Sequence, residues 1–216
     1  MSKPAQPARR EGVSPMLAAL RTGTREHHLA LERHLALPGR IRERADLVAV
    51  LSAMLASWAP LERQLAAADW SGLRLDARLG EAAELLRADL AALAADSAVV
   101  PDAPSSDEPP GVRFDTPARA VGGRYVLLGS ALGGSVIAPT VERCLGLAEG
   151  AATGFFRRSG RVPGRDWRDF RRAVAAREWS PEELREATDA ARETFTFIGR
   201  AATPFLRHGS TDPAAA

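Results

Sequence analysis

The chain predicts an all-α, single-domain helical bundle, on three observations. Aromatic residues are only 6% of the 216 residues, whereas alanine and leucine dominate. That mix favours helices over strands. Apolar residues recur at helical spacing over long segments, and no run alternates with a period of two. Helix starts are written three times as a cap followed by proline, in Ser14-Pro15, Thr116-Pro117 and Ser180-Pro181. A hydrophobic content of 45% with 26% charged residues suits one sizeable core, and no internal repeat divides it.

The elements follow in chain order. Residues 1–13 are polar and proline-containing and read as a disordered tail. Ser14 as N-cap and Pro15 at the first helical position start a helix that runs to about Leu37, where Pro38-Gly39 stops it. Asp46 is expected to cap a second helix, which carries Val50, Leu51, Met54, Leu55, Trp58 and Leu61 on one face. A third helix is expected from about Asp76 to Asp96, followed by a polar loop at 101–111. Thr116-Pro117 opens a long glycine-bearing helix ending at Gly146, with bends expected at Gly129–Gly134 and near Pro139. Residues 147–164 are rich in Gly and Arg and lack clear periodicity, with Phe155-Phe156 as core candidates. A helix from about Asp166 to Glu178 follows. Ser180-Pro181-Glu182-Glu183 is a capping box that starts a last helix to about Leu206. The domain is therefore expected over 14–207, with a flexible tail at 208–216.

Composition narrows function. A net charge of +2 is nearly balanced, and no basic run is interleaved with aromatics, so nucleic acid is not an expected partner. Cys144 is the single cysteine, which excludes an intrachain disulfide and any CxxC metal site. Met1 to Gly12 lacks the apolar core of a signal peptide. The longest apolar run, Tyr125 to Pro139, falls short of the roughly 20 residues that span a bilayer. The expectation is a cytoplasmic protein without a membrane partner. No dinucleotide fingerprint is present.

Two motifs carry chemistry. In Arg124–Gly134 three glycines interrupt an apolar helical run, and each costs about 0.5–1 kcal/mol relative to alanine. Gly129 and Gly133 are four residues apart and share a face. Either another helix or a flat ligand must approach that bare backbone. Near the N-terminus, Arg21, Thr24, His28 and Glu32 fall on one side of a helix, while His27 points about 100° away. His28 is either a surface histidine or a metal ligand. A histidine on one helix and a bare glycine face on another are what an iron porphyrin needs on its two sides.

With Arg21, Thr24, His28 and Glu32 in the first segment and Tyr125-Val126, Gly129-Ser130 and Leu132-Gly133-Gly134 in the second, the chain resembles the heme oxygenase family, in particular its bacterial, biliverdin-producing branch. The resemblance covers about residues 14–207 in helix order and is motif-specific at 21–32 and 124–134. It implies heme b, as substrate and cofactor, between a proximal helix and a glycine-kinked distal helix. It implies His28 as the ligand to iron, with Glu32 orienting the ring or simply solvated. Gly129, Ser130 and Gly133 would face bound O2, and Gly134 would contact the heme. Arg21, Thr24, Tyr125 and Arg171 would hold the heme and its propionates. Arg124 and Arg172 are substitutes for Arg171, and surface solvation is the alternative for each arginine.

Two positions depart from the family's pattern. Ser130 stands where many members carry an aspartate that organises distal water. Leu128 replaces a glutamate common in the bacterial pattern. The implied reaction converts heme to biliverdin, carbon monoxide and ferrous iron, with electrons from a ferredoxin or flavin reductase. A bacteriophytochrome is a possible acceptor of the biliverdin. A heme carrier or sensor on the same fold is the alternative. The four histidines form no Glu-x-x-His pair for a di-iron centre, and Cys144 reads as a packed residue rather than a thiaminase-like nucleophile. Phe195, Phe197 and Ile198 are expected in the core or lining the pocket, and Trp58, Trp70, Trp167 and Trp179 in the core or at its rim.

Overall fold

The computed structural model describes residues 14–73, 75, 82–95, 111–158 and 164–206. Among them lie the helices α1 (Pro15–Gly23), α2 (Arg25–Leu35), α3 (Arg44–Ala66), α4 (Ala82–Ala95), α5 (Pro117–Leu145), α6 (Gly154–Arg157), α7 (Arg165–Ala175) and α8 (Pro181–Leu206), with no strand among the described residues. The helix α8 is the spine, because α1, α2, α3 and α5 all pack on it. Its contact with α5 is backbone to backbone: a Cβ at Gly122 would collide with the carbonyl oxygen of Ala187. On α3, Ser57 Oγ donates to the carbonyl oxygens of Ala53 (2.7 Å) and Ile198 (3.5 Å). At the end of α1, Gly23 lies against Thr188, and Arg192 Nε donates to its carbonyl oxygen at 2.8 Å. Leu20, Leu51, Leu61, Val121, Phe170 and Ile198 are fully or almost fully buried at the centre.

Several boundaries depart from the sequence reading, each for a local reason. The first helix is not continuous to Leu37. It breaks at Thr24, whose hydroxyl donates to the carbonyl oxygen of Leu20 at 2.7 Å and offers the backbone an alternative partner. Ala36, in the left-handed region at φ 50°, ends α2. Ser14 precedes α1 as expected but makes no side-chain cap. Asp46 is not the cap of α3: Glu43 is, and Asp46 sits three residues inside, accepting from the backbone N–H groups of Arg42 (2.9 Å) and Glu43 (3.2 Å). The helix α7 stops at Ala175, before Glu178.

Other expectations hold. Thr116 caps α5 by accepting from Arg119 N, and Gly146 closes it at φ 63°. Ser180 and Glu183 form the reciprocal capping box at 2.8 and 3.1 Å. The bends expected at Gly129–Gly134 and near Pro139 do not interrupt α5, which runs unbroken from Pro117 to Leu145. The expectations for 1–13, 76–81, most of 101–111 and 207–216 lie outside the described residues.

Both α3 and α5, at mean hydropathy 1.3, are long and apolar enough to cross a membrane, which the count of uninterrupted apolar residues missed. Here they are bundle helices, with 61% and 44% of those stretches buried.

The segment after α5 is held by charge rather than by apolar periodicity. Glu142 accepts from Arg157 Nε (2.7 Å), Thr153 Oγ1 (2.5 Å) and Gly150 N (2.9 Å). The Arg157 hydrogen bond, against the cost of burial, lowers its carboxyl pKa to about 2. Asp89 on α4 accepts from Gly154 N (2.9 Å) and Phe155 N (2.8 Å) and so fixes the start of α6. Because the folded-state pKa of Glu142 lies below its ordinary value of 4.5, its stabilisation is present above pH 4.5 and is lost as pH falls through about 2. Glu142→Gln should therefore lower stability by roughly 3 kcal/mol at pH 7. Urea unfolding across pH should show that deficit shrinking between about pH 5 and pH 2.

Candidate functional site

A cavity of about 580 Å³ lies between α2 and α5, which both rest on α8. The helix α2 contributes His28, Leu31 and Glu32, and α5 contributes Tyr125, Val126, Gly129, Ser130 and Gly133. Trp58 of α3, Phe155 and Phe156 of α6, and Phe195 and Ile198 of α8 add apolar walls. No residue of α2 is buried, and Leu29 is exposed at 41%. The helix thus covers the cavity from outside rather than closing a core.

His28 presents its ring to this space. Its Nδ1 lies 3.5 Å from Glu32 Oε2, one turn further on, and its ring meets Phe195 edge-on at 5.8 Å. A carboxylate beside Nδ1 favours the tautomer that leaves Nε2 as the coordinating nitrogen. His27 is not among the cavity-lining residues, and its Nδ1 is buried.

The glycine face has one reading only in the folded structure. A Cβ at Gly129 or Gly133 would meet no atom within 4 Å, so no helix occupies that face and both residues open onto the cavity. Gly134 behaves otherwise: a Cβ there would collide with the carbonyl oxygen of Phe156. Gly134 therefore allows α6 to press on α5 and is not part of the cavity wall.

Of the expected propionate holders, Tyr125 lines the cavity and meets the ring of Trp167 of α7 at 5.6 Å, tilted by 47°. Burial pushes its hydroxyl pKa up, opposed by a hydrogen bond with Thr24 and by the charge of Arg21. Thr24 is buried and does not reach the cavity, so it fixes Tyr125 instead. Arg21 is exposed beside this end. Arg171 is exposed one turn after Trp167 on the same face of α7, outside the lining. Arg124 is buried over the Trp70 ring at 5.4 Å, and Arg172 pairs with Asp169 at 3.3 Å. Neither belongs to the cavity. Phe195 and Ile198 line it, whereas Phe197 does not. Trp58 and Trp167 are wall residues.

Sequence reasoning missed Arg158. Its Nη2 donates to Ser130 Oγ at 2.7 Å and its Nη1 to the Phe155 carbonyl at 2.8 Å, with the guanidinium 3.9 Å over the Phe155 ring. Burial lowers its pKa to about 10, against the pull of Glu62. No local pattern separates Arg158 from Arg157, which turns inward to Glu142. Among the described residues, no three His, Cys, Asp or Glu side chains converge as a metal site, so a di-iron reading has no centre there. Cys144 is exposed and outside the cavity.

The class of protein is thus a helical bundle with a largely apolar cavity between a histidine-bearing helix and the bare Gly129–Gly133 face of α5. The model of the heme oxygenase family matches residues 14–202. The chain belongs to the heme oxygenase family, and membership supports a heme-degrading function with heme as the substrate. No curated protein matches the chain.

The glycines separate packing from site by a simple contrast. Gly133→Ala should stabilise the apoprotein by about 0.5–1 kcal/mol through helix propensity, since nothing is displaced. Gly134→Ala should destabilise it by about 1–3 kcal/mol through overpacking on Phe156. Thermal melts of the two variants measure both signs.

Proposed function

We propose that the protein is a biliverdin-forming heme oxygenase that cleaves heme b with O2 and external electrons, releasing carbon monoxide and ferrous iron. The observation that carries this reading is the empty space over Gly129 and Gly133, facing the cavity into which His28 projects. The volume lies within the range of small-molecule sites, about 300–1,000 Å³. The walls are largely apolar, as a porphyrin requires.

His28 Nε2 holds the iron, and Glu32 orients the ring through Nδ1. Gly129 and Gly133 offer only backbone to the opposite face. Neither position would offer an acidic side chain to a small ligand bound with the heme. Arg21 and Tyr125 would take the propionates at the end where Trp167 lies against Tyr125, with Thr24 steadying Tyr125 and Arg171 exposed on α7 as a further candidate. Phe155, Phe195 and Ile198 exclude bulk water. Heme supplies the iron at which O2 is activated and the meso carbon that is oxidised. Electrons come from a ferredoxin or flavin reductase, and a bacteriophytochrome is a fitting acceptor of the biliverdin. The proposed setting is the cytoplasm.

Hemin should bind at one-to-one stoichiometry. His28→Ala should abolish the histidine-ligated absorption spectrum, whereas His27→Ala should keep it. Equal spectra for the two variants would remove His28 from the iron. Ascorbate or a reductase system in air should then yield biliverdin, and a stable complex without product would favour a carrier.

The handles on orientation are separately testable. A partly solvated arginine–propionate pair contributes about 0–1 kcal/mol to binding. Arg21→Glu should therefore weaken hemin binding modestly, yet change the biliverdin isomer ratio or the turnover rate. Chromatography of the isomers reads this directly, and an unchanged pattern, rate and affinity would return Arg21 to the solvated surface.

A further inference from the structure

Among the described residues, Arg158 is the arginine that lines the cavity, beside Ser130 on the glycine side. Its surroundings are poor in compensating charge. Its hydrogen bonds go to two neutral oxygens, those of Ser130 and Phe155, and aromatic rings lie under it, Phe155 at 3.9 Å and Trp58 at 5.9 Å. Glu62 is the carboxylate that acts on it from the adjoining small cavity. Both Glu62 oxygens already accept backbone N–H groups, of Ala82 at 3.3 Å and Ala83 at 3.0 Å. A guanidinium has five N–H donors, more than these two acceptors use. A partly desolvated cation of this kind attracts an anion or an oriented water strongly.

Ser130 sets where that attraction acts. Its Oγ donates to the Leu127 carbonyl at 2.7 Å and accepts from Arg158 Nη2, so the serine hydrogen is committed to its own helix. Ser130 therefore offers Arg158 an acceptor and fixes the guanidinium one residue from Gly129. Arg158 is itself placed by the two acidic anchors: Asp89 fixes α6 just before it, and Glu142 holds its neighbour Arg157.

We infer that Arg158 and Ser130 form a small-anion subsite on the glycine wall of the cavity, with Arg158 as the hydrogen-bond donor to a water or anion held there and Ser130 as the residue that positions it. This rests on the proposed heme site, because Arg158 and Ser130 line the same cavity as His28. The subsite supplies by a cation what an aspartate at position 130 would supply by accepting, so a small ligand is oriented by donation. Anionic ligands are favoured over neutral ones.

Azide titration of the ferric hemin complex, followed by absorption, tests this without turnover. Arg158→Met should raise the azide Kd about tenfold, the loss expected for one charge-assisted hydrogen bond. Arg158→Lys should keep part of the affinity because it keeps the charge. Ser130→Ala should raise the Kd by a smaller factor, through loss of orientation. If Arg158→Met fails to fold, the other two variants carry the test. Hemin bound through His28 with wild-type azide affinity in the folded variants would overturn the subsite alone. Failure of the wild-type chain to bind hemin would bring down the functional reading and the subsite together.

Discussion

The backbone contact of α5 with α8 at Gly122 is the constraint on which the rest of the site depends. Because no side chain separates the helices there, α5 is seated at a fixed distance from the spine of the bundle. Two and three turns further on, Gly129 and Gly133 fall on the same side of the helix, and there no other atom of the protein comes near the bare backbone. The helix α2 rests on α8 as well, so the gap between α2 and α5 is set by two contacts with one helix. A ligand cavity follows from that geometry without α2 burying any residue of its own.

Glycines in α5 thus do two opposed jobs. At 122 and 134 the missing side chain admits another backbone, that of α8 and that of α6. At 129 and 133 it admits nothing from the protein, and about 0.5–1 kcal/mol of helix stability per residue is forgone. Such a local cost without a packing gain is expected where function requires the space.

The irregular segment 147–158 shows how buried charge shapes a site at a distance. Glu142 is fully engaged by Arg157, Thr153 and Gly150, and Asp89 accepts the first two N–H groups of α6. These anchors replace the apolar periodicity the segment lacks. They hold Phe155 and Phe156 in the cavity wall and carry Arg158 to Ser130. Removing a buried partner of this kind leaves an uncompensated charge, which is why these acids matter more than their number suggests.

The sequence by itself determined the helical class, the order of the long helices, the Thr116, Gly146 and Ser180–Glu183 caps, and the pairing of His28 with Glu32 along one helix face. These are local properties, set by spacing and by bonds within a few residues. It also carried the family resemblance, through the same two short motifs. Tertiary structure decided the rest. Only the packing of α5 distinguishes Gly129 and Gly133, which open on the cavity, from Gly134, which meets Phe156, since adjacent glycines are identical until neighbours are placed. Only the buried position of Thr24 turns it from a ligand contact into a support for Tyr125. Arg158 and Ser130 meet across 28 residues of chain, and the anchor that separates Arg158 from Arg157 is a carboxylate on a preceding helix. No spacing rule reaches that far, because long-range partners are chosen by the whole core rather than by any one segment.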